Sequence, residues 1–249
     1  MKITSAKNHN AWFDSRFYHL LYEKRGDSEA EKIVKNIFNH LNLKKNAKVL
    51  DAACGKGRHS IQIEKLGYNV LGIDLSTNSI NKAKENENSN LKFKIHDISV
   101  PLKEKFDLVL NLFTSFGYQS KKNDIKILQA LHKNLNDDGV GVIDFLNIKK
   151  VKKELVFSET INKKNISFII KRSINKKNQL IKKISFLSNN KKYSFEEKVN
   201  ALSLTDFKKY FNITNFLITK ICGDYDLNEF DSDKSPRLIL FFKKKSQSN

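Results

Sequence analysis

Residues 49–60, VLDAACGKGRHS, constrain the fold more than any other stretch of this chain. With the two residues before it, AKVLDAA is a short apolar run of the kind that forms a buried strand. It breaks into a turn with glycines at 55 and 57, and a helical pattern, GRHSIQIEKLG, follows and stops at Gly67, a residue suited to a helix C-cap. Glycines in such a turn let the backbone bend sharply and approach a ligand closely. The helix N-terminus behind them offers free N–H groups.

The same alternation continues. YNVLGIDL reads as a second strand, NSINKAKENE as a polar helix, LKFKIHDI as a third strand and FDLVLNLF as a fourth. NDIKILQALHKNL is an amphipathic helix, with Ile125, Leu128, Leu131 and Leu135 on one side. A turn at Asp137, Asp138 and Gly139 then leads into a fifth strand, GVIDFL. Strands separated by helices form βαβ units, so the fold class is α/β, with a doubly wound, mostly parallel sheet. From about 154 to 200 the period changes to two, with Asn-Lys-Lys turns between the runs. That predicts three or four antiparallel strands inserted into the parent fold. A helix at LTDFKKYF and strands at FLITKIC and RLILFF resume the α/β pattern.

Before the first strand, NAWFDSRFYHLLY carries a helical apolar face. The spacing of Ser28 and Glu31 suits a capping box at the start of a second helix. The expected organisation is a helical cap at 1–44, an α/β core at 45–150 and 201–249, and an antiparallel insertion at 151–200 that covers substrate or makes a dimer contact. The final KKKSQSN reads as a frayed tail.

At 249 residues the chain can bury a core without staples. No apolar run approaches the roughly 20 residues of a membrane helix, and the N-terminus lacks a signal-peptide core. Cys54 and Cys222 show no metal spacing, so the expectation is a reducing cytoplasm, no disulfide and no metal. The net charge of +19 raises the question of nucleic acid. The cations are nearly all lysine, scattered along the chain, whereas forked phosphate and base contacts favour arginine. A solvated basic surface is the preferred reading over a nucleic-acid groove.

Asp74 ends the second strand, where a carboxylate can accept hydrogen bonds from both ribose hydroxyls of a nucleoside. Ligands of such sheets bind at the carboxyl ends of the strands. A dinucleotide turn wants a third glycine where this chain has Ser60, and Asp51 before the turn suits a ligand carrying an ammonium group. VLDAACGKG, VLGIDLS, KIHDIS and FDLVLNLFTSFGY, in that order, resemble the successive motifs of class I S-adenosylmethionine-dependent methyltransferases. The likeness covers roughly residues 45–146. It is greatest to the small-molecule enzymes with an N-terminal helical cap and a β insertion after the fifth strand, and it implies a Rossmann-like, seven-stranded sheet.

The resemblance implies S-adenosylmethionine as cofactor, with S-adenosylhomocysteine as product, and gives residues their jobs. Ala53, Gly55 and Gly57 would line its methionine and ribose part, with Ala53 where the family often has glycine. Asp51 would face the methionine end, directly or through water. Asp74 would bind the ribose hydroxyls, Leu75 and Ile98 would pack on adenine, and Asp97 would reach its amino group. Asn111 and Leu112 would lie near the sulfonium. Tyr18, Tyr22 and Arg25 of the cap would touch the cofactor.

The substrate pocket would draw on His19, Phe116, Tyr118, Asp224, Tyr225 and Arg237, with Arg237 holding an anion or pairing with Asp224. His19, Tyr118 and Asp224 are the catalytic candidates, and His59 is a supporting residue behind the loop or a base. Asp224 and Tyr225 also suit a plain structural turn. The function this implies is methyl transfer to nitrogen or oxygen of a small molecule, by a cytoplasmic monomer or homodimer. The alternatives are an RNA methyltransferase and a non-catalytic sensor of the cofactor. A nicotinamide dehydrogenase is more distant.

Overall fold

The computed structural model describes residues 3–5, 12–23 and 27–246. Arg25 and the last residues of the tail lie outside the described residues.

Seven strands form the main sheet: β2 (Lys48–Ala52), β3 (Asn69–Asp74), β4 (Leu91–Ile95), β5 (Phe106–Asn111), β6 (Leu135–Leu146), β11 (Phe216–Cys222) and β12 (Arg237–Lys244). Their order is β11-β12-β6-β5-β2-β3-β4. The pairs among β6, β5, β2, β3 and β4 are parallel, and β12 runs antiparallel to both of its neighbours. The chain reverses its winding between β2 and β5, and this crevice is where such sheets receive ligands.

Helices cover both faces. On one side α2 (Asp27–Leu41), α3 (Arg58–Lys65) and α4 (Thr77–Ala83) bury Ile37, Ile63 and Ile80 against Val49, Val70, Leu108 and Leu110. On the other, α5 (Lys121–Asn134) and α7 (Leu204–Ile213) bury Leu128, Leu131, Phe207 and Phe211 against Leu50, Val109, Ile143 and Phe242. Consecutive strand residues such as Leu108 and Val109 point into opposite cores, which is why these strands read as continuous apolar runs rather than alternating ones. Ser120 caps α5, and a capping box between Ser203 and Asp206 starts α7.

A second sheet holds β7 (Ser158–Lys163), β8 (Ile166–Ile174), β9 (Gln179–Ser188) and β10 (Lys191–Asn200) as an antiparallel meander, reached from β6 through the short α6 (Ile148–Lys153). β1 (Ile3–Ser5) adds a parallel edge strand to β10. The first residues of the expected helical cap are therefore strand. Ser15 breaks the expected helix over 10–22: its hydroxyl accepts from the Tyr18 backbone and caps α1 (Arg16–Leu21). The next helix begins at Asp27, so Ser28 lies within it rather than capping it. The residues expected as a turn at 137–139 belong to β6, which slips register between the Phe106–Leu135 and Leu108–Val140 pairs.

Of the expected cap, α2 covers the main sheet, whereas residues 12–22 pack on the second one. Trp12, Phe17 and Leu21 share a third core with Phe168, Ile170, Ile184, Phe186 and Phe195. Cap and second sheet thus make one lid over the carboxyl ends of the parallel strands.

Candidate functional site

Beneath that lid lies a cavity of about 1010 Å³, floored by the ends of β2 to β6 and by the first residue of β12. That volume is at the upper end of ordinary ligand pockets, about 300–1,000 Å³.

The glycine turn forms one wall. Gly55 has φ +55°, and a side chain there would project into open space. Gly57 is buried behind it at φ +80°, where a Cβ would come within 2.6 Å of the Phe93 ring. Glycine at 57 thus serves backbone conformation and packing, and it does not border the cavity. Ala53 takes φ +66°. An L-residue there costs about 1–2 kcal/mol, so alanine at this position brings backbone strain. Asp74 Oδ2 accepts from Gly55 N at 2.9 Å and Oδ1 accepts from Ser76 N at 2.8 Å. This carboxylate ties the turn to the end of β3 and keeps lone pairs for the cavity. Burial raises its pKa, against the pull of the Ser76, Gly55 and Leu75 backbone.

Next to Asp74 stand Leu75, still 45% exposed, and then Asp97 and Ile98. Asp97 Oδ1 accepts from Ser99 N at 2.8 Å, so it closes its own turn as well as bordering the cavity. Asp51 and Asn111 are buried behind the floor. Ser60 Oγ donates to Asp51 Oδ2 at 2.6 Å, and burial lifts the Asp51 pKa to about 6. Asn111 Nδ2 donates to Ala52 O at 2.8 Å and locks the end of β5 to that of β2. Neither residue borders the cavity, although both were expected beside the cofactor.

Past β5 the backbone is strained. Phe113 and Thr114 take φ +60° and +58° in succession. The Phe113 amide donates to Asp144 Oδ2 at 2.9 Å, and the Tyr225 hydroxyl donates to the same oxygen at 3.0 Å. Arg237 Nε donates to Asp144 Oδ1 at 2.7 Å, and its Nη2 donates to Thr114 Oγ1 at 2.8 Å. The arginine therefore pairs with Asp144, not with Asp224. Asp224 spends its carboxylate on Asn228 and the Asp226 amide within its own turn and does not border the cavity. Tyr225 does not border the cavity and meets its lining through Asp144 and the Arg237 guanidinium.

The loop after β5 divides. Phe116 is fully buried against Phe207, so it is core rather than pocket wall. Leu112, itself buried, and Tyr118 border the cavity, and Tyr118 meets Phe13 of the cap edge-on at 5.4 Å. Tyr18, His19 and Tyr22 also line it from the cap. His19 Nε2 is buried without a partner among the described residues. Burial and then Lys56 hold the His19 pKa down at about 4, with Asp14 pulling the other way. His59, buried beside Arg58, drops to about 3. Both rings are neutral near pH 7. Cys54 is buried and its thiol pKa lies well above the ordinary value, which makes it a packing residue and not a nucleophile.

The lid contributes residues that sequence reasoning missed. Arg172, Lys182 and Glu197 are cross-strand neighbours on β8, β9 and β10, and all three line the roof. Glu197 Oε1 accepts from Trp12 Nε1 at 2.6 Å and from the Tyr22 hydroxyl at 3.1 Å, and Lys182 bonds that hydroxyl as well. At the opposite rim Asp14 Oδ1 accepts from Ser76 Oγ at 2.6 Å and from Asn78 N at 2.9 Å. The cap is thus fastened to both sheets. Asp144, an acid inside the apolar run GVIDFL, was the one missed residue with a visible signal.

The sequence matches the family described as "Methyltransferase domain" over residues 43–199. It is 32% identical over 100 residues to the S-adenosyl-L-methionine-dependent methyltransferase TehB of Haemophilus influenzae, a match covering 39% of this chain and 35% of that protein. That match thus spans about a third of the relative's length. Phosphoethanolamine N-methyltransferase of Plasmodium falciparum is 28% identical over 218 residues, 80% of each protein. Among solved structures, an S-adenosylmethionine-dependent methyltransferase from Clostridium acetobutylicum superposes with a TM-score of 0.78 at 18% identity, over 92% of this chain and 96% of that one.

Proposed function

The chain belongs to the class I S-adenosylmethionine-dependent methyltransferases, and from that we propose that it methylates a nitrogen or oxygen of a small-molecule acceptor inside the cavity under the lid. One observation carries the reading. The cavity is roofed by a cap that Glu197 fastens to the second sheet and Asp14 fastens to the floor, and its charges are of both signs. Arg58, Arg172, Lys182 and Arg237 are paired with Glu29, Glu159, Glu197 and Asp144. Asp14, Asp74 and Asp97 add acids to the same lining. A groove for a polyanion would be open and basic.

The residues present fit S-adenosylmethionine. Gly55 leaves open space where a side chain would stand, Asp74 has lone pairs for two ribose hydroxyls, and Leu75 and Ile98 present apolar surface beside Asp97. These five residues, with Ala53 and Leu112, are the proposed cofactor contacts. Tyr18 and Tyr22 close over them from the cap. Asp51, Gly57 and Asn111 act behind them by fixing the strand ends. The cofactor supplies a methyl group on a sulfonium, with the leaving group built in. The protein's part is to align acceptor and methyl and to exclude water. Tyr118, Phe113 and Phe13 give that region apolar walls. An amine acceptor needs only to be neutral, whereas a hydroxyl must lose a proton. His19, neutral and with Nε2 unpartnered among the described residues, is the proposed proton acceptor. The similarity to the Plasmodium N-methyltransferase supports nitrogen. Covering the acceptor is the proposed role of the 151–200 insertion.

The test is a transfer assay with methyl-labelled cofactor and a cell extract separated into small molecules, RNA and protein. Label in the small-molecule fraction is expected. Label confined to RNA or protein would overturn the reading.

A further inference from the structure

The cofactor assignments leave Arg237, a largely buried charge in the cavity wall, unused. Arg237 stands at the start of β12, paired with Leu146 at the end of β6. In the sheet order, β6 and β5 separate it from the glycine turn of β2, and Asp74 lies farther still, on β3. It therefore borders the acceptor's end of the cavity rather than the nucleoside's.

Its guanidinium is fixed before any ligand arrives. Nε is held by Asp144 and Nη2 by Thr114. Asp144 is itself held by the Phe113 amide and the Tyr225 hydroxyl. The guanidinium carbon lies 5.8 Å from the Phe113 and Tyr225 ring centres. Burial works against its charge, yet Asp144 and Tyr225 outweigh that and raise its pKa. No rotamer entropy remains to be lost on binding.

The fork is also unfinished. Nη1 has no acceptor among the described residues, while the side chain borders the open cavity. A buried Arg–Asp pair is poor value as a stabiliser alone, since apolar residues of similar volume do as well or better. Spare guanidinium donors facing a cavity instead suit planar recognition of an oxyanion. Arg58 supplies a second cation against the same aromatic ring, 4.7 Å from the Phe113 centre.

We propose that Arg237 anchors the acceptor and that the acceptor carries an oxyanion, a carboxylate or a phosphate monoester, bound through Nη1. The acceptor class is then small amines or alcohols bearing an anionic group, a statement that rests on the small-molecule reading above. With the anion held beyond β5, the Phe113–Ser115 segment lies between it and the cofactor's proposed site, so the anion sets which atom of the acceptor meets the methyl.

The test uses the full chain saturated with S-adenosylhomocysteine. Sodium acetate and, separately, inorganic phosphate are titrated in against sodium chloride of equal ionic strength, followed by calorimetry and by thermal melting. Saturable binding of one anion is expected, and which one binds distinguishes carboxylate from phosphate. Arg237→Lys keeps a cation for Asp144, so it should fold, and it should weaken that binding at least tenfold while S-adenosylhomocysteine affinity stays within twofold. Absence of saturable binding by either anion in the unaltered protein would overturn the proposal. So would an Arg237→Lys variant that binds anions normally. If that variant instead loses S-adenosylhomocysteine affinity, the arginine serves the cofactor, and the proposal also fails. Failure of the small-molecule reading would show separately, as label in RNA or protein.

Discussion

Replacing Asp74 by alanine separates the cost to folding from the cost to binding. In the fold the carboxylate accepts two backbone bonds, from Gly55 at 2.9 Å and Ser76 at 2.8 Å. Each is a bond to a charged group, about 1.5–3 kcal/mol when measured alone. Two effects offset most of that loss. Asp74 borders the cavity, so water can replace it at the freed amides. Removing it also relieves the burial that raises its pKa. The net loss of stability is therefore about 1 kcal/mol, small beside the roughly 5–15 kcal/mol of a typical domain. Binding lacks those offsets, because both ribose hydroxyls lose a charged acceptor and the Gly55 turn loses its tether. At about 1.5 kcal/mol per bond the loss is near 3 kcal/mol, or roughly a hundredfold in affinity. Calorimetric titration of S-adenosylhomocysteine, beside urea unfolding followed by circular dichroism, measures both. A folded variant whose affinity stays within threefold of the unaltered protein would refute the ribose assignment.

Two further predictions concern the lid and the place where it joins the core. Trp12 is the sole tryptophan of the chain and is 1% exposed, so its fluorescence reports cap docking. Glu197→Ala removes the acceptor of both Trp12 Nε1 and the Tyr22 hydroxyl. Acrylamide quenching should rise severalfold while stability falls by about 1–3 kcal/mol, and unchanged quenching would sink the idea that Glu197 fastens the cap. Asp124 is fully buried where β10 meets α5, accepts from Asn200 at 3.1 Å, and is raised by burial from 3.8 to about 6. Between those values the folded protein keeps a proton that the unfolded chain has lost, so its contribution to stability is complete below 3.8 and gone above about 6. From pH 4 to 7.5 the unaltered protein should lose about 1–3 kcal/mol relative to Asp124→Asn in urea unfolding, and parallel stability curves for the two proteins would contradict this.

Much of this was legible in the chain. VLDAACGKGRHS and the strands after it announce the parallel sheet, because a strand buried on both faces must be apolar throughout. Asp74, Leu75, Asp97 and Ile98 border one cavity, as their places at strand ends led one to expect. What could not be read is direction and distance. Alternation in 154–200 foretells strands but not which face meets the floor, so nothing in the sequence marks Lys182 and Glu197 as cavity residues. In Thr114–Tyr118, Phe116 turns into the core and Tyr118 into the cavity, a choice made by the left-handed backbone before them. Arg237 was visible, but its partner Asp144 lies 93 residues away, and only the pairing of β6 with β12 brings them together.

A crystal structure of the complex with S-adenosylhomocysteine tests the central claim, that the cavity beneath the lid is where the methyl group is transferred. The ribose should lie on Asp74, the adenine between Leu75 and Ile98, and the sulfur should open toward Phe113–Ser115 with Arg237 beyond it. A ligand bound outside the lid, or a sulfur turned away from the β5 end, would contradict it.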